Sequence, residues 1–117
     1  NINKLEKGGL SGKPLEKRSN ELINKFYKIL KNKIKIIGVG GVDSGQSAYQ
    51  KIINGASLVQ LYTGMIYQGP SIASKISEEL INILDKERVK NISDVVGSKN
   101  WSWLATLEHL YNHKFYV

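Results

Sequence analysis

Two strand–turn–helix units follow one another in the middle of the chain, and they constrain its fold more than any other feature. The apolar run 34–39 leads into a glycine turn at Gly40 and Gly41, and the run 56–61 leads into a second turn at Thr63 and Gly64. Short, almost wholly apolar runs rich in β-branched residues indicate strands that are buried on both faces, as in a parallel sheet. The sequence therefore predicts two parallel strands joined by a crossover.

The predicted helices lie between and around these strands. Ser44 is a candidate N-cap for a helix over 45–53, and an apolar stripe at helical spacing predicts a longer helix over 71–86. A short helical piece is predicted over 65–68. Upstream, Ser19 is a candidate N-cap for a helix that ends at Asn32 and Lys33, and Ser93 is a candidate cap for one further turn.

This order predicts an α/β fold, namely the C-terminal part of a (β/α)8 barrel: the last two β/α units with the preceding loop and helix. A complete barrel of this kind needs roughly 250 residues, whereas the sequence has 117. We therefore expect the chain to be a segment of a longer protein. Its first residue, Asn1, fits that expectation without proving it.

Composition excludes several classes of function. The formal net charge is +7, but the lysines are scattered and are not interleaved with aromatic residues in any known nucleic-acid-binding motif. This pattern favours a solvated basic surface, so we expect no nucleic-acid partner. The chain has no cysteine, which excludes a disulfide framework. No apolar run approaches the ~18 residues of a membrane span, and no signal-peptide pattern is present.

Three glycine-containing turns are candidates for binding an anion: Ser11-Gly12, Gly40-Gly41 and Thr63-Gly64. Bare backbone lets N–H groups approach an anion closely, and a helix N-terminus adds a favourable dipole. The alternative is that each glycine serves a tight turn that needs positive φ. Asp43 stands where a dinucleotide-binding G-x-G-x-x-G motif would need glycine, and no Walker motif follows.

Three blocks in this order and spacing resemble the quinone-dependent dihydroorotate dehydrogenases (class 2). They are residues 8–15 (GGLSGKPL), 36–42 (IIGVGGV) and 55–64 (GASLVQLYTG), with Gly69-Pro70 after the last. The resemblance runs from about residue 8 to about residue 100. It implies a (β/α)8 barrel that binds FMN, oxidises dihydroorotate to orotate in de novo pyrimidine (UMP) synthesis and passes the electrons to a quinone.

The resemblance also implies roles for individual residues. The backbones of Gly12 and Gly41 would approach the FMN, Tyr62 and Thr63 would help to hold its phosphate, and the neighbours that shape the pocket would be Ser11, Gly40 and Gly64. The family's catalytic serine base, its substrate contacts and its quinone- and membrane-binding helices lie upstream of these blocks. We therefore expect no catalytic residue in this chain, no activity from it alone, and a parent enzyme peripheral to the cytoplasmic side of the inner membrane, or to the mitochondrial inner membrane.

Two alternatives stay open at this point. The chain could be an inactive, truncated product, or part of another FMN-dependent barrel oxidoreductase. Residues 1–100 are expected to form the barrel portion, and residues 101–117 an additional, weakly helical tail.

Other side chains carry weaker signals. His109 and His113 share a helical spacing, but no third ligand accompanies them. We therefore expect surface histidines and no metal site. Asp43 is expected to cap or brace the following helix together with Ser44.

Overall fold

The structure, a computed structural model, describes residues 9–100. The predictions for residues 101–117, including His109 and His113, lie outside the described residues. The helices and strands are α1 Glu16–Leu30, β1 Ile37–Val39, α2 Gly45–Asn54, β2 Leu58–Gln60, α3 Thr63–Gln68 and α4 Ile72–Lys86. Short 3-10 turns cover Lys13–Leu15, Ile92–Val95 and Ser98–Asn100.

The two strands pair in parallel, as the sequence predicts. Ile37 lies opposite Leu58, and Val39 lies opposite Gln60. Helix α2 makes the crossover between them. Each strand has only three residues, so both predicted runs are too long by several residues.

The prediction that both faces of each strand are buried is wrong for the described residues. On β1, Gly38 is buried, whereas its two neighbours point to the opposite face and are exposed. Ile37 on β1 is 55% exposed, and Leu58 on β2 is 63% exposed. A Cβ at Gly38 would lie 3.0 Å from Ala56 and 3.1 Å from Ile23, so that side of the sheet faces the helical layer. The helices cover one face of this sheet and leave the other apolar face uncovered.

The main core lies between α2, α4 and the covered face of the sheet. Its buried members are Val42, Ala48, Ile72 and Ile76. Three half-buried side chains from β2, the residue after it and α4 pack against them, namely Val59, Leu61 and Leu80. Helix α2 therefore occupies the centre of the helical layer, in contact with α1 on one side and α4 on the other.

The apolar stripe of α1 is buried only in part. Ile23 and Tyr27 are buried, whereas Leu22, Phe26 and Ile29 are exposed. Among the described residues the sheet is two strands wide, so no third strand beside β1 covers these side chains.

The cap predicted for α2 is confirmed. The Ser44 side chain accepts a hydrogen bond from the Ser47 N–H at 3.1 Å, and the Ser47 hydroxyl in turn accepts from the Ser44 N–H at 3.0 Å. This reciprocal arrangement is a capping box, and it satisfies two donors that would otherwise lack intrahelical partners. The helix runs one residue further than predicted and ends at Gly55, whose φ is 133°.

The caps predicted at Ser19 and Ser93 are wrong. Helix α1 begins at Glu16 because the 3-10 turn at Lys13–Leu15, which contains Pro14, leads directly into it. Proline presets a helical φ in a first turn, so helical structure starts before Ser19. In the late turn the cap is Asn91, whose side chain accepts from the Ser93 N–H at 3.0 Å.

Tyr27 joins the late turns to the rest of the structure. A Cβ at Gly55 would lie 2.5 Å from the Tyr27 side chain, and a Cβ at Gly97 would overlap its ring. The Tyr27 hydroxyl donates to the Val96 carbonyl at 3.4 Å, and the Gly97 N–H donates to the Ile52 carbonyl at 3.0 Å. The ring thus lies between two glycines from distant parts of the chain.

Among residues 9–100, no helix is both long enough and apolar enough to cross a bilayer.

Candidate functional site

The first and third glycine turns meet through two hydroxyl groups. Ser11 Oγ and Thr63 Oγ1 lie 3.0 Å apart and share a hydrogen bond. Gly12 has φ 85°, and a Cβ there would lie 3.0 Å from Thr63 Cγ2. Residues 52 positions apart in the sequence therefore form one surface, which carries two hydroxyls and bare backbone.

The second turn packs against the start of α1. Gly40 and Gly41 have φ values of 106° and 76°. A Cβ on Gly41 would lie 2.5 Å from Glu16 Cβ and 2.9 Å from Glu16 N. Both glycines therefore have a conformational requirement: the turn has positive φ, and at Gly41 the close approach of α1 also excludes a side chain.

The second and third turns are also in contact. A Cβ on Gly64 would lie 2.6 Å from the Val42 carbonyl oxygen, directly after the Gly40-Gly41 turn. All three predicted turns are consequently neighbours in space. Of the sequence-predicted residues, Gly41 is buried, Ser11 and Tyr62 are exposed, and Gly12, Gly40, Thr63 and Gly64 are half-buried.

The helix termini near the turns differ in how far their N–H groups are satisfied. At α2, the Gly45 N–H donates to a Glu79 carboxylate oxygen at 2.5 Å, and Ser44 caps Ser47. A carboxylate of the protein itself therefore occupies this N-terminus. Thr63 and Gly64 stand in the first turn of α3, where N–H groups have no intrahelical acceptor.

A lysine lies between two carboxylates beside the turns. Lys13 Nζ is 2.5 Å from Glu16 Oε2 and 3.4 Å from Asp43 Oδ1. The hydrogen bond to Glu16 raises the pKa of Lys13, and the charge of Asp43 acts in the same direction. Asp43 is expected from the sequence to cap or brace α2 together with Ser44. Its carboxylate pairs with Lys13 and does not cap the helix, but its backbone N–H braces the helix by donating to Ser47 Oγ at 3.0 Å.

Tyr62 lies directly before α3 and is exposed to solvent, with 74% of its surface accessible. Its carbonyl accepts from the Met65 N–H at 3.1 Å. Together with the paired hydroxyls of Ser11 and Thr63, this surface has the donors and the unhindered backbone that a phosphate group requires. Within residues 9–100, no group of three or more His, Cys, Asp or Glu side chains could hold a metal ion.

Two residues that the sequence interpretation missed support this region. Lys51 on α2 is completely buried, and Glu79 on α4 covers the N-terminus of α2. The signal for Lys51 was its position: it follows Ala48 by three residues and precedes Ile52, so the helical period places it on the buried face. No sequence signal marks Glu79, because its partner is 34 positions away.

The family model for dihydroorotate dehydrogenase matches residues 1–84. The chain belongs to the dihydroorotate dehydrogenase family. The dihydroorotate dehydrogenase (quinone) of Deinococcus radiodurans is 44% identical over 95 residues, which are 81% of this chain and 26% of that protein. The mitochondrial dihydroorotate dehydrogenase (quinone) of Arabidopsis thaliana is 47% identical over 93 residues, or 80% of this chain and 20% of that protein.

A solved dihydroorotate dehydrogenase also matches the structure. The ligand-free enzyme of Eimeria tenella superposes with a TM-score of 0.79 at 40% sequence identity, covering 85% of this chain and 27% of that chain. The described α/β arrangement is thus part of a dihydroorotate dehydrogenase fold. The chain spans about a quarter of the length of the curated relatives it matches.

Proposed function

We propose that this chain is the FMN-phosphate-binding portion of a quinone-dependent dihydroorotate dehydrogenase. The longer protein that contains it is called the parent enzyme below. The parent enzyme would oxidise dihydroorotate to orotate in de novo pyrimidine biosynthesis, and the two electrons removed would reduce a quinone to a quinol. The observation that carries this proposal is the meeting of the Ser11-Gly12 and Thr63-Gly64 turns in a member of this family.

Within the parent enzyme, residues 1–100 would supply the last two β/α units of a (β/α)8 barrel with the preceding loop and helix. The parallel pair of β1 and β2, each followed by a helix, supports this placement. The exposed apolar side chains of Ile37, Val39 and Leu58 lie on the face away from the helices. In a closed barrel that face is the interior, which side chains from other strands fill. Residues 101–117 would form an additional tail.

The residues of the three turns would hold the cofactor by its phosphate. The hydroxyls of Ser11 and Thr63 would donate to phosphate oxygens, and the backbones of Gly12 and Gly41 would allow close approach. The remaining contributors to the pocket are Tyr62, Gly40 and Gly64. Hydrogen bonds to a charged acceptor contribute more than those between neutral groups, which supports a phosphate site made of these few donors.

A bound FMN supplies the two-electron acceptor for the oxidation of dihydroorotate. This chain's role would be to hold and orient it, because the family's base for proton removal has no counterpart in the matched turns. Quinone binding and peripheral attachment to the inner membrane would depend on the rest of the parent enzyme. The names of the relatives, which specify quinone and in one case mitochondria, support these assignments.

The test is to purify the parent enzyme and to measure its flavin content and its dihydroorotate-dependent reduction of a quinone. We expect a yellow protein that releases FMN on denaturation and reduces quinone only when dihydroorotate is present. A folded, colourless protein that takes up no added FMN would overturn the proposal.

Two other outcomes would favour the alternatives. A parent enzyme that binds FMN but is not reduced by dihydroorotate would be another FMN-dependent barrel oxidoreductase. Cells that contain only a product of this chain's length, detected with an antibody against α4, would favour an inactive truncated protein.

A further inference from the structure

Lys51 of α2 is a buried lysine close to the Gly40-Gly41 turn. Lys51 is 0% exposed, and its Nζ donates to Ser19 Oγ at 3.1 Å and to Asn20 Oδ1 at 2.9 Å. Among residues 9–100, no carboxylate forms an ion pair with it, so both of these partners are neutral. Burial of an ammonium group against neutral partners is costly.

Ser19 links Lys51 to the backbone of β1. Its hydroxyl donates to the carbonyl oxygen of Val39, the last residue of β1. A hydroxyl has one proton and two acceptor lone pairs, whereas an ammonium group can only donate. The Val39 carbonyl can only accept, so the single proton of Ser19 points to it and a lone pair of Ser19 is left to accept from Lys51. Lys51 therefore helps to fix the position of the Ser19 oxygen that reaches Val39.

The Val39 carbonyl is the last backbone acceptor before Gly40 and Gly41. The turn also lies directly over Ser19, since a Cβ on Gly40 would lie 3.4 Å from Ser19 Cβ. Two successive glycines have more accessible backbone conformations than any other residue pair, so a turn made of them needs external contacts to keep one conformation.

We infer that Lys51 is a positioning residue that acts through Ser19 to hold the Gly40-Gly41 turn in the conformation that receives the cofactor phosphate. The inference rests on the proposed function, because it takes the turn to be part of the FMN-phosphate site. Lys51 itself would not contact the cofactor, because its side chain is completely buried and its amine donates to Ser19 and Asn20.

The experiment compares the binding of FMN and of riboflavin, which lacks the phosphate, to the flavin-free parent enzyme. Titrations followed by flavin fluorescence are made with the wild type, Lys51→Met, Ser19→Ala and the double variant. The matched control is Lys28→Met, at an exposed lysine of α1. Denaturant unfolding of each flavin-free protein shows whether it is folded under the binding conditions.

We expect Lys51→Met to weaken FMN binding roughly three- to tenfold, the value of about one hydrogen bond, and to leave riboflavin binding unchanged. Ser19→Ala should produce the same selective loss, and the double variant should lose no more than either single variant, because both changes break one chain of contacts. Lys28→Met should match the wild type.

Each contrary result has a distinct meaning. Equal weakening of FMN and riboflavin binding, or additive losses in the double variant, would overturn the positioning role. If Lys51→Met does not fold, the test is Ser19→Ala alone. A ratio of FMN to riboflavin affinity equal to that of the wild type in Ser19→Ala would then overturn the positioning role. A wild type that binds FMN no more tightly than riboflavin would instead overturn the phosphate site of the proposed function.

Discussion

Ser11 Oγ and Thr63 Oγ1 lie 3.0 Å apart although 52 positions separate the two residues in the sequence. The pair is exposed to solvent, and a hydrogen bond between two exposed hydroxyls adds little to stability because water can replace either partner. The consequence of this contact is that two hydroxyl donors, one from the first glycine turn and one from the third, lie next to each other.

If the proposed function is correct, replacing Thr63 with valine should weaken FMN binding about tenfold, because it would remove a hydrogen bond to a charged phosphate while keeping the shape of the side chain. Riboflavin affinity and the unfolding midpoint should stay close to those of the wild type. The matched control is Thr63→Ser, which keeps the hydroxyl and should keep FMN affinity. Fluorescence titration of the flavin-free parent enzyme measures both affinities, and equal losses for the two substitutions would contradict the assignment.

Alanine at Gly97 should destabilise the fold far more than alanine at Gly69. Both glycines have positive φ, 74° and 84°, and backbone conformations of this kind cost a residue with a Cβ about 1–3 kcal/mol. At Gly97 the new Cβ would also overlap the Tyr27 ring, whereas at Gly69 nothing lies within 4 Å. We expect losses of about 4 kcal/mol and about 2 kcal/mol respectively in denaturant unfolding.

Gly9 provides the control for this pair, since its φ is not positive and no atom lies within 4 Å of the place that a Cβ would take. Alanine there should leave stability unchanged. Similar losses at Gly97 and Gly69 would show that the Tyr27 ring moves away easily and that the late turns are not held by it.

Removal of the Glu79 carboxylate should destabilise α2. Its oxygen accepts from the Gly45 N–H at 2.5 Å, at the positive end of the helix dipole. Glu79→Ala should cost about 1–2 kcal/mol, and Glu79→Gln less, because the amide oxygen can still accept. The difference between the wild type and Glu79→Gln should shrink as salt is added.

Glu78 is the matched control for Glu79, because it is the preceding glutamate on α4 and its side chain is exposed. Glu78→Ala should change the free energy of unfolding by no more than a typical surface substitution, about 0.5 kcal/mol. A loss at Glu78 equal to that at Glu79 would mean that the general charge of α4, and not the contact with Gly45, is responsible.

Stability should depend on alkaline pH through Lys51. Burial lowers the pKa of Lys51 from its ordinary value of 10.5, and the charge of Glu16 opposes this only in part. Between the lowered pKa and 10.5 the unfolded chain holds more protons than the folded chain, so the free energy of unfolding rises with pH across that window. As the pH is lowered through the folded-state pKa, this contribution to the free energy of unfolding is lost.

Lys51→Met should remove this rise, whereas Lys28→Met should retain it. Denaturant unfolding of the three proteins at a series of alkaline pH values measures the slopes. A slope in Lys51→Met equal to that of the wild type would show that Lys51 carries no shifted titration.

Local sequence signals predicted those elements that depend on near neighbours. Ser44 and Ser47 are three positions apart and form the α2 cap as expected, and the parallel pairing followed from the two short apolar runs. The prediction at Ser19 failed because Pro14 starts helical structure earlier. The prediction of two buried sheet faces failed because the helices cover one face of a sheet that is two strands wide.

The sequence by itself determined the family, the order of strands and helices, and the three turns that form the candidate site. Only the tertiary structure decided what each of these turns contacts: Thr63 meets Ser11, Gly41 meets Glu16, and Lys51 reaches Ser19. Periodicity and capping arise between residues a few positions apart and can be read along the chain. These contacts join residues 25 to 52 positions apart, and they depend on how the helices pack on the sheet, which no local pattern encodes.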